Sequence, residues 1–200
     1  MRTAKKSKLK LPDSVFIMDF KLDAVIFMKF GYHALENESD IIIRKQNEFL
    51  KSGKMFWGYG GYICHPLNQI QPFIKEMNDG GKKVFLAMSF TKSRPTMDGS
   101  LSQLFSNNGL DWENIPTGIR VTGSKYAIVC SELIRCNINI NLGDFAIGIG
   151  PSKGKAASDY IKFRVDKGCL VRTPNPIKTN NEVNIQLISE IVEPYAVLLK

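Results

Sequence analysis

The stretch IRCNININL, residues 134–142, decides the fold class. Ile134, Cys136, Ile138, Ile140 and Leu142 alternate strictly with Arg135, Asn137, Asn139 and Asn141. Successive side chains of a strand point to opposite faces, so this period of two describes a strand with one dry and one wet face. Around it the chain reads mostly as β. IRVTG and KYAIVC are predicted strands on either side of Gly123-Ser124, and FAIGIG (145–150), VNIQL and YAVLL follow, the last two separated by Pro194. In YIKFRVD, Ile161, Phe163 and Val165 alternate as in a strand, whereas Ala156, Ala157 and Tyr160 favour a helix.

The first half mixes both periods. Residues 15–20 and 24–30 are short apolar strands. ENESDIIIRKQNEFLKSGK carries helical spacing at Ile42, Gln46, Phe49 and Leu50, with Ser39 or Asp40 as cap and Gly53 as stop. A second helix is predicted from Asn68 to Asn78, ending at Gly80-Gly81, with Pro72 in its early turns. VFLAMSF, 84–90, is a continuous apolar run bounded by the polar loop TKSRPTMDGS, the pattern of a strand buried on both faces. The expectation is an α+β fold, one domain over residues 13–200 behind a basic tail at 1–12. A mixed, mostly antiparallel sheet would carry two or three helices.

Composition is that of a globular chain, 44% hydrophobic and 23% charged over 200 residues. Five of the formal +8 charges lie in the first ten residues, MRTAKKSKLK, so the body is only mildly basic. That tail is either a solvated end or a contact for DNA or RNA. VFIMDFKLDAVIFMKF is interrupted by Asp19, Lys21 and Asp23, too often for a membrane span or a signal core. Cys64, Cys130, Cys136 and Cys169 form no C-x-x-C pair. A cytoplasmic protein with free thiols is expected.

Four stretches carry candidate ligand chemistry. MFWGYGGYICHP, 55–66, sets Trp57, Tyr59 and Tyr62 among Gly58, Gly60 and Gly61, rings that can stack a base against bare backbone; the alternative is a bulged strand in an aromatic core. GIGPSKGKAASDY, 148–160, offers Ser152, Lys153, Gly154 and Lys155 after a strand, a setting in which backbone N–H groups and cations hold phosphate. It is not a P-loop: five residues separate Gly148 from Gly154, and Ala156 stands where the magnesium-binding hydroxyl belongs. A flexible turn is the other reading. TGSKYA adds Ser124 and Lys125, and TKSRP adds Thr91, Ser93 and Arg94 at a strand end.

Catalytic signals are sparse. Cys64 and His65 are adjacent and face opposite ways on an extended chain, so the pair is badly placed to share a proton. His65 stands alone as a candidate general base. A two-histidine phosphoesterase would need His33 and His65 each in a His-x-Ser/Thr pattern, which neither has. No Cys/His spacing supports zinc, and Asp98, Asp111 and Glu113 form no paired-acid motif; no metal or cofactor is expected. Residues 69–93 resemble the helix–Gly–strand–Ser segment of EVE and related PUA-like domains, whose aromatic-lined pockets hold a modified or flipped base. The likeness spans an eighth of the chain, and no site residue carries over. These readings favour a protein that binds, or sequesters, a nucleotide or nucleotide-derived molecule. The alternatives are a transferase or phosphodiesterase-like enzyme with His65 as base and Lys153 or Lys155 stabilising charge, and a nucleic-acid module using the tail with Lys162 and Arg164.

Overall fold

The computed structural model describes residues 22–32, 36–60, 65–92, 99–161 and 165–200. Strand β1 (Ala24–Phe30) and strand β3 (Val84–Phe90) are the two apolar runs of the first half. They lie side by side in parallel, Ala24 opposite Val84 through Phe30 opposite Phe90. Both are covered on both faces, which is why they carry no polar alternation. Ala24, Ile26 and Met28 enter one core with Val84, Leu86 and Met88, while Val25 and Phe27 enter a second with Phe85 and Ala87. The remaining pairings are antiparallel. Strands β2 (Met55–Gly58), β6 (Tyr126–Cys130), β10 (Glu182–Leu199), β9 (Lys167–Arg172) and β8 (Phe145–Ile147) complete the sheet order β2-β6-β10-β3-β1-β9-β8. Strands β4 (Leu104–Ser106), β5 (Glu113–Asn114) and β7 (Ile134–Asn141) attach through β10 and β4, giving ten strands in a mixed sheet among the described residues. With the three α-helices of those residues on it, the fold is α+β, as the sequence pattern predicts.

Helix α1 (Glu38–Ser52) starts on Asn37, whose side chain accepts from the Asp40 N–H at 2.9 Å, rather than on Ser39 or Asp40. It stops at Gly53, which takes the left-handed conformation (φ 70°) that a β-carbon would strain. Helix α2 (Leu67–Asp79) buries Ile70, Phe73 and Ile74, and both helices feed the core that also holds Met55, Ile128 and Cys130. Each such side chain taken fully from water contributes about 1.5–3 kcal/mol of transfer free energy. Helix α3 (Ala157–Tyr160), one turn long, packs with β8 and a 3-10 turn (Leu142–Asp144) over the second core. A third cluster, Phe56, Phe105, Val121, Ala127, Val129 and Val197, lies under β4.

β7 confirms the 134–142 pattern: Cys136 and Ile140 are buried, while Arg135, Asn137 and Asn139 are exposed. On the wet face Asn184 of β10 donates to Asn137 and Asn139 at 2.6 and 2.7 Å. Two expectations change. VNIQL and YAVLL form one strand, because β10 absorbs Pro194 at a register shift between Ile191 and Ala196, where no ladder donor is required of it. IRVTG is irregular: it joins no strand ladder, makes an isolated bridge from Thr122 to Leu101, and packs Ile119 and Val121 against the sheet residues Phe56, Ala127 and Val129. The expected strand at 15–20 and residues 162–164 of YIKFRVD fall outside the described residues, and Ile161 closes α3. Cys130, Cys136 and Cys169 are buried free thiols. Burial raises the thiol pKa of all three, that of Cys136 to about 11. No helix among the described residues is long and apolar enough to cross a membrane.

Candidate ligand cleft

The carboxyl ends of β1 and β3 open into a cleft of about 430 Å³. Crevices at the carboxyl ends of parallel strands are preferred ligand sites in open sheets, because chain segments diverge there and leave space. β1 supplies Met28, Lys29 and Phe30, and its continuation Gly31 and Tyr32; Thr91 follows β3. From β2 come Trp57 and Gly58. Across from them runs the irregular segment Arg120–Ser124, and the rim closes with Asp166 and Lys167 at the start of β9. Phe30 and Trp57 meet edge to face at 5.6 Å and 88°, forming an apolar wall that is mostly covered, Trp57 being only 5% exposed.

Gly58 is bare for a reason of space. A β-carbon there would lie 2.5 Å from the Ser124 hydroxyl oxygen, so glycine lets the hydroxyl-bearing segment approach the sheet. Gly123 takes φ 66°, turning the chain between Thr122 and Ser124.

Below the cleft, α1 anchors the Arg120 segment through buried charge. Glu48 is fully buried and accepts from Lys45 Nζ at 2.8 and 3.1 Å, Arg44 Nη1 at 2.9 Å and the Arg120 N–H at 3.1 Å. Lys45 also donates to the carbonyls of Phe56 and Arg120, the latter at 3.0 Å and shared with Arg44. Its three ammonium hydrogens therefore all meet acceptors. Burial pushes Lys45 down to about 8, against the pull of Glu48 in the other direction. Arg44 grips the Glu36 carboxylate from Nε and Nη2 at 2.9 and 2.6 Å, and those bonds hold the Glu36 carboxyl below the usual carboxylate range.

The sequence candidates divide. Trp57, Gly60, Thr91 and Ser124 line the cleft. Tyr59 is fully buried beside it; its carbonyl accepts from Lys167 Nζ at 2.6 Å, with that ammonium 4.8 Å from the ring centre. It therefore presents no stacking face to solvent. Gly61, Tyr62, Ser93 and Arg94 lie outside the described residues, as do His33, Cys64 and Asp98. Lys125 is exposed and not in the lining. Ser152, Lys153, Gly154 and Lys155 form a tight turn away from the cleft, closed by Gly154 N–H to the Ile147 carbonyl and Ile147 N–H to the Lys155 carbonyl, both at 2.8 Å. Lys153, Gly154 and Lys155 are exposed.

His65 is half-buried, which lowers its pKa. Its carbonyl accepts from the Tyr126 hydroxyl at 2.5 Å, and its ring lies close to Gly150, outside the cleft. Asp111 is used in a turn with Asn108. Among the described residues no group of three or more potential metal ligands is assembled.

Sequence reasoning did not find Lys29, Glu36, Arg44, Lys45, Arg120, Asp166 or Lys167. The nearest signals were Gly123-Ser124, three and four residues past Arg120, and Lys162 and Arg164, just before Asp166. Comparison of the chain with family models, curated proteins and solved structures finds no match, so the EVE-like likeness of 69–93 gains no support.

Proposed function

We propose that this cleft binds a nucleotide or nucleotide-derived small molecule without itself altering it. One observation carries the reading: the cations Lys29 and Arg120 share one lining with the hydroxyl-and-glycine segment Thr122-Gly123-Ser124 and with the narrow exposed edges of Phe30 and Trp57. Apolar edges suit the rim of a base, hydroxyls suit sugar or phosphate oxygens, and cations suit phosphate. The described lining holds neither histidine nor cysteine, and Lys45 is enclosed by acceptors that favour its ammonium form. The competing reading, turnover with His65 as base, places its base outside the cleft.

Trp57 is one of two tryptophans, so the Trp112→Phe protein gives a fluorescence signal from the cleft wall alone. Titration with nucleoside phosphates is expected to produce a saturable change. The bound molecule, recovered after denaturation and examined by mass spectrometry, should have its starting mass. Absence of a saturable response to any nucleoside phosphate refutes the reading, and recovery of a converted product replaces binding with catalysis.

A further inference from the structure

The charge and size of the cleft narrow its occupant, an inference that rests on the reading above. Lys29, Arg44, Lys45, Arg120 and Lys167 line it together with the carboxylates Glu36 and Asp166. Glu48, buried beneath, takes ion pairs from both Arg44 and Lys45. Five cations against three carboxylates leave a surplus of two positive charges among the described residues.

That surplus has a location. Arg44 and Lys45 have their donors engaged by Glu36, Glu48 and backbone carbonyls. Lys167 is committed to the Tyr59 carbonyl and ring. Lys29 and Arg120 differ: they reach Asp166 at 3.6 Å and Glu36 at 4.0 Å, beyond hydrogen-bond distance, and the Arg120 side chain is 53% exposed. Such loose pairs hold a cation in place while leaving its N–H groups to a better acceptor.

A phosphate monoester carries roughly −1.5 to −2 at neutral pH and three acceptor oxygens, which matches this surplus. A triphosphate brings far more charge. The cleft's 430 Å³ is near the lower end of the roughly 300–1,000 Å³ of small-molecule sites, room for one nucleoside rather than two. We infer that the cleft selects a nucleoside monophosphate, its terminal phosphate held by Lys29 and Arg120 and its base directed to the apolar edges of Phe30 and Trp57.

The test uses the full chain carrying Trp112→Phe, titrated with AMP, GMP, CMP and UMP, the parent nucleosides, a cyclic 3′,5′-monophosphate, a dinucleotide and ATP. At least one monophosphate is expected to bind about tenfold or more tightly than its nucleoside and than ATP. Lowering the pH from 7.5 to 5.5 should weaken it about fourfold as the dianion is protonated (second pKa about 6), and leave the cyclic diester unaffected. Among the described residues the groups lining this end of the cleft are Lys29 and Tyr32 at β1, Glu36, Arg44 and Lys45 at α1, Arg120, Asp166 and Lys167, with no histidine among those described; the cyclic diester, which has no proton to gain, reports any titration of the protein itself. Lys29→Gln and Arg120→Ala should each lose tenfold or more for the monophosphate while sparing the nucleoside. If one variant unfolds, the other and the pH series decide. Tighter binding of ATP or the dinucleotide, or monophosphate affinity indifferent to both substitutions, overturns this inference and leaves the cleft a nucleotide site. No response to any of these ligands overturns both.

Discussion

Glu48→Gln is the substitution that tests the buried charge network most directly. The carboxylate has no solvent exposure and accepts four hydrogen bonds, two of them from a lysine that is itself buried. Glutamine keeps the shape and removes the charge, leaving the Lys45 ammonium without a counter-ion and turning an NH₂ toward donors. Breaking a buried pair from one side costs about 3–5 kcal/mol. For 200 residues the unfolding entropy near the midpoint is roughly 0.4 kcal/mol/K, so the melting temperature should fall by roughly 7–12 °C. Removing both charges with Lys45→Met and Glu48→Met should recover most of that loss, because two desolvation penalties vanish together. What remains is about 1–2 kcal/mol for each buried group left without its partner, namely the Arg120 N–H, which loses Glu48, and the Phe56 carbonyl, which loses Lys45, while Arg44 keeps Glu36 and the Arg120 carbonyl. Urea unfolding followed by circular dichroism measures all three proteins. A single-variant cost below about 1 kcal/mol, or a double variant no more stable than the single one, would refute the argument that this pair is held by mutual compensation.

The same lysine sets a pH dependence. Its folded pKa of about 8 lies below the unfolded value near 10.5, so the unfolded chain binds the extra proton between those limits and stability attributable to Lys45 rises with pH across that window, by roughly 3 kcal/mol. Subtracting the Lys45→Met/Glu48→Met profile isolates the effect, and a flat difference curve from pH 7.5 to 10.5 contradicts it. Gly58→Ala should destabilise by about 1–2 kcal/mol through its approach to the Ser124 hydroxyl, and Ser124→Gly should relieve part of that cost; additive effects in the double-mutant cycle would deny the contact. Asn37→Ala should cost about 1 kcal/mol by removing the cap of α1, measured by thermal melting, whereas Ser39→Ala should be near neutral.

What was legible in the sequence was whatever depended on period and on backbone chemistry. The alternation of residues 134–142, the unbroken apolar runs of β1 and β3, and the stop at Gly53 each follow from neighbours a few residues away. The cap of α1 shows the limit: Asn37, Ser39 and Asp40 all have capping side chains, and only the entry angle of the chain decides among them. Pro194 misled because a proline ends a strand only where the ladder needs its N–H, and the register shift in β10 removes that need. The cleft was half legible. Trp57 and Ser124 advertise themselves by composition, but Arg44 and Lys45 read locally as the solvated side of a helix. Lys45 is buried and Arg44 half-buried because the Arg120 segment, some seventy-five residues later, folds across them. The Gly/Lys turn at 152–155 drew notice for the opposite reason: its composition resembles a phosphate loop, while its backbone closes on itself.

Strand β10 binds β7 and β3 along its first half and β6 and β4 along its second, so stretches from residue 84 to residue 141 meet through it. During synthesis this strand leaves the ribosome last of the described elements. Until it does, among the described residues β3 has only β1 beside it and β7 has no partner. Any nascent chain paused before residue 182 would expose those apolar edges to chaperones and to one another.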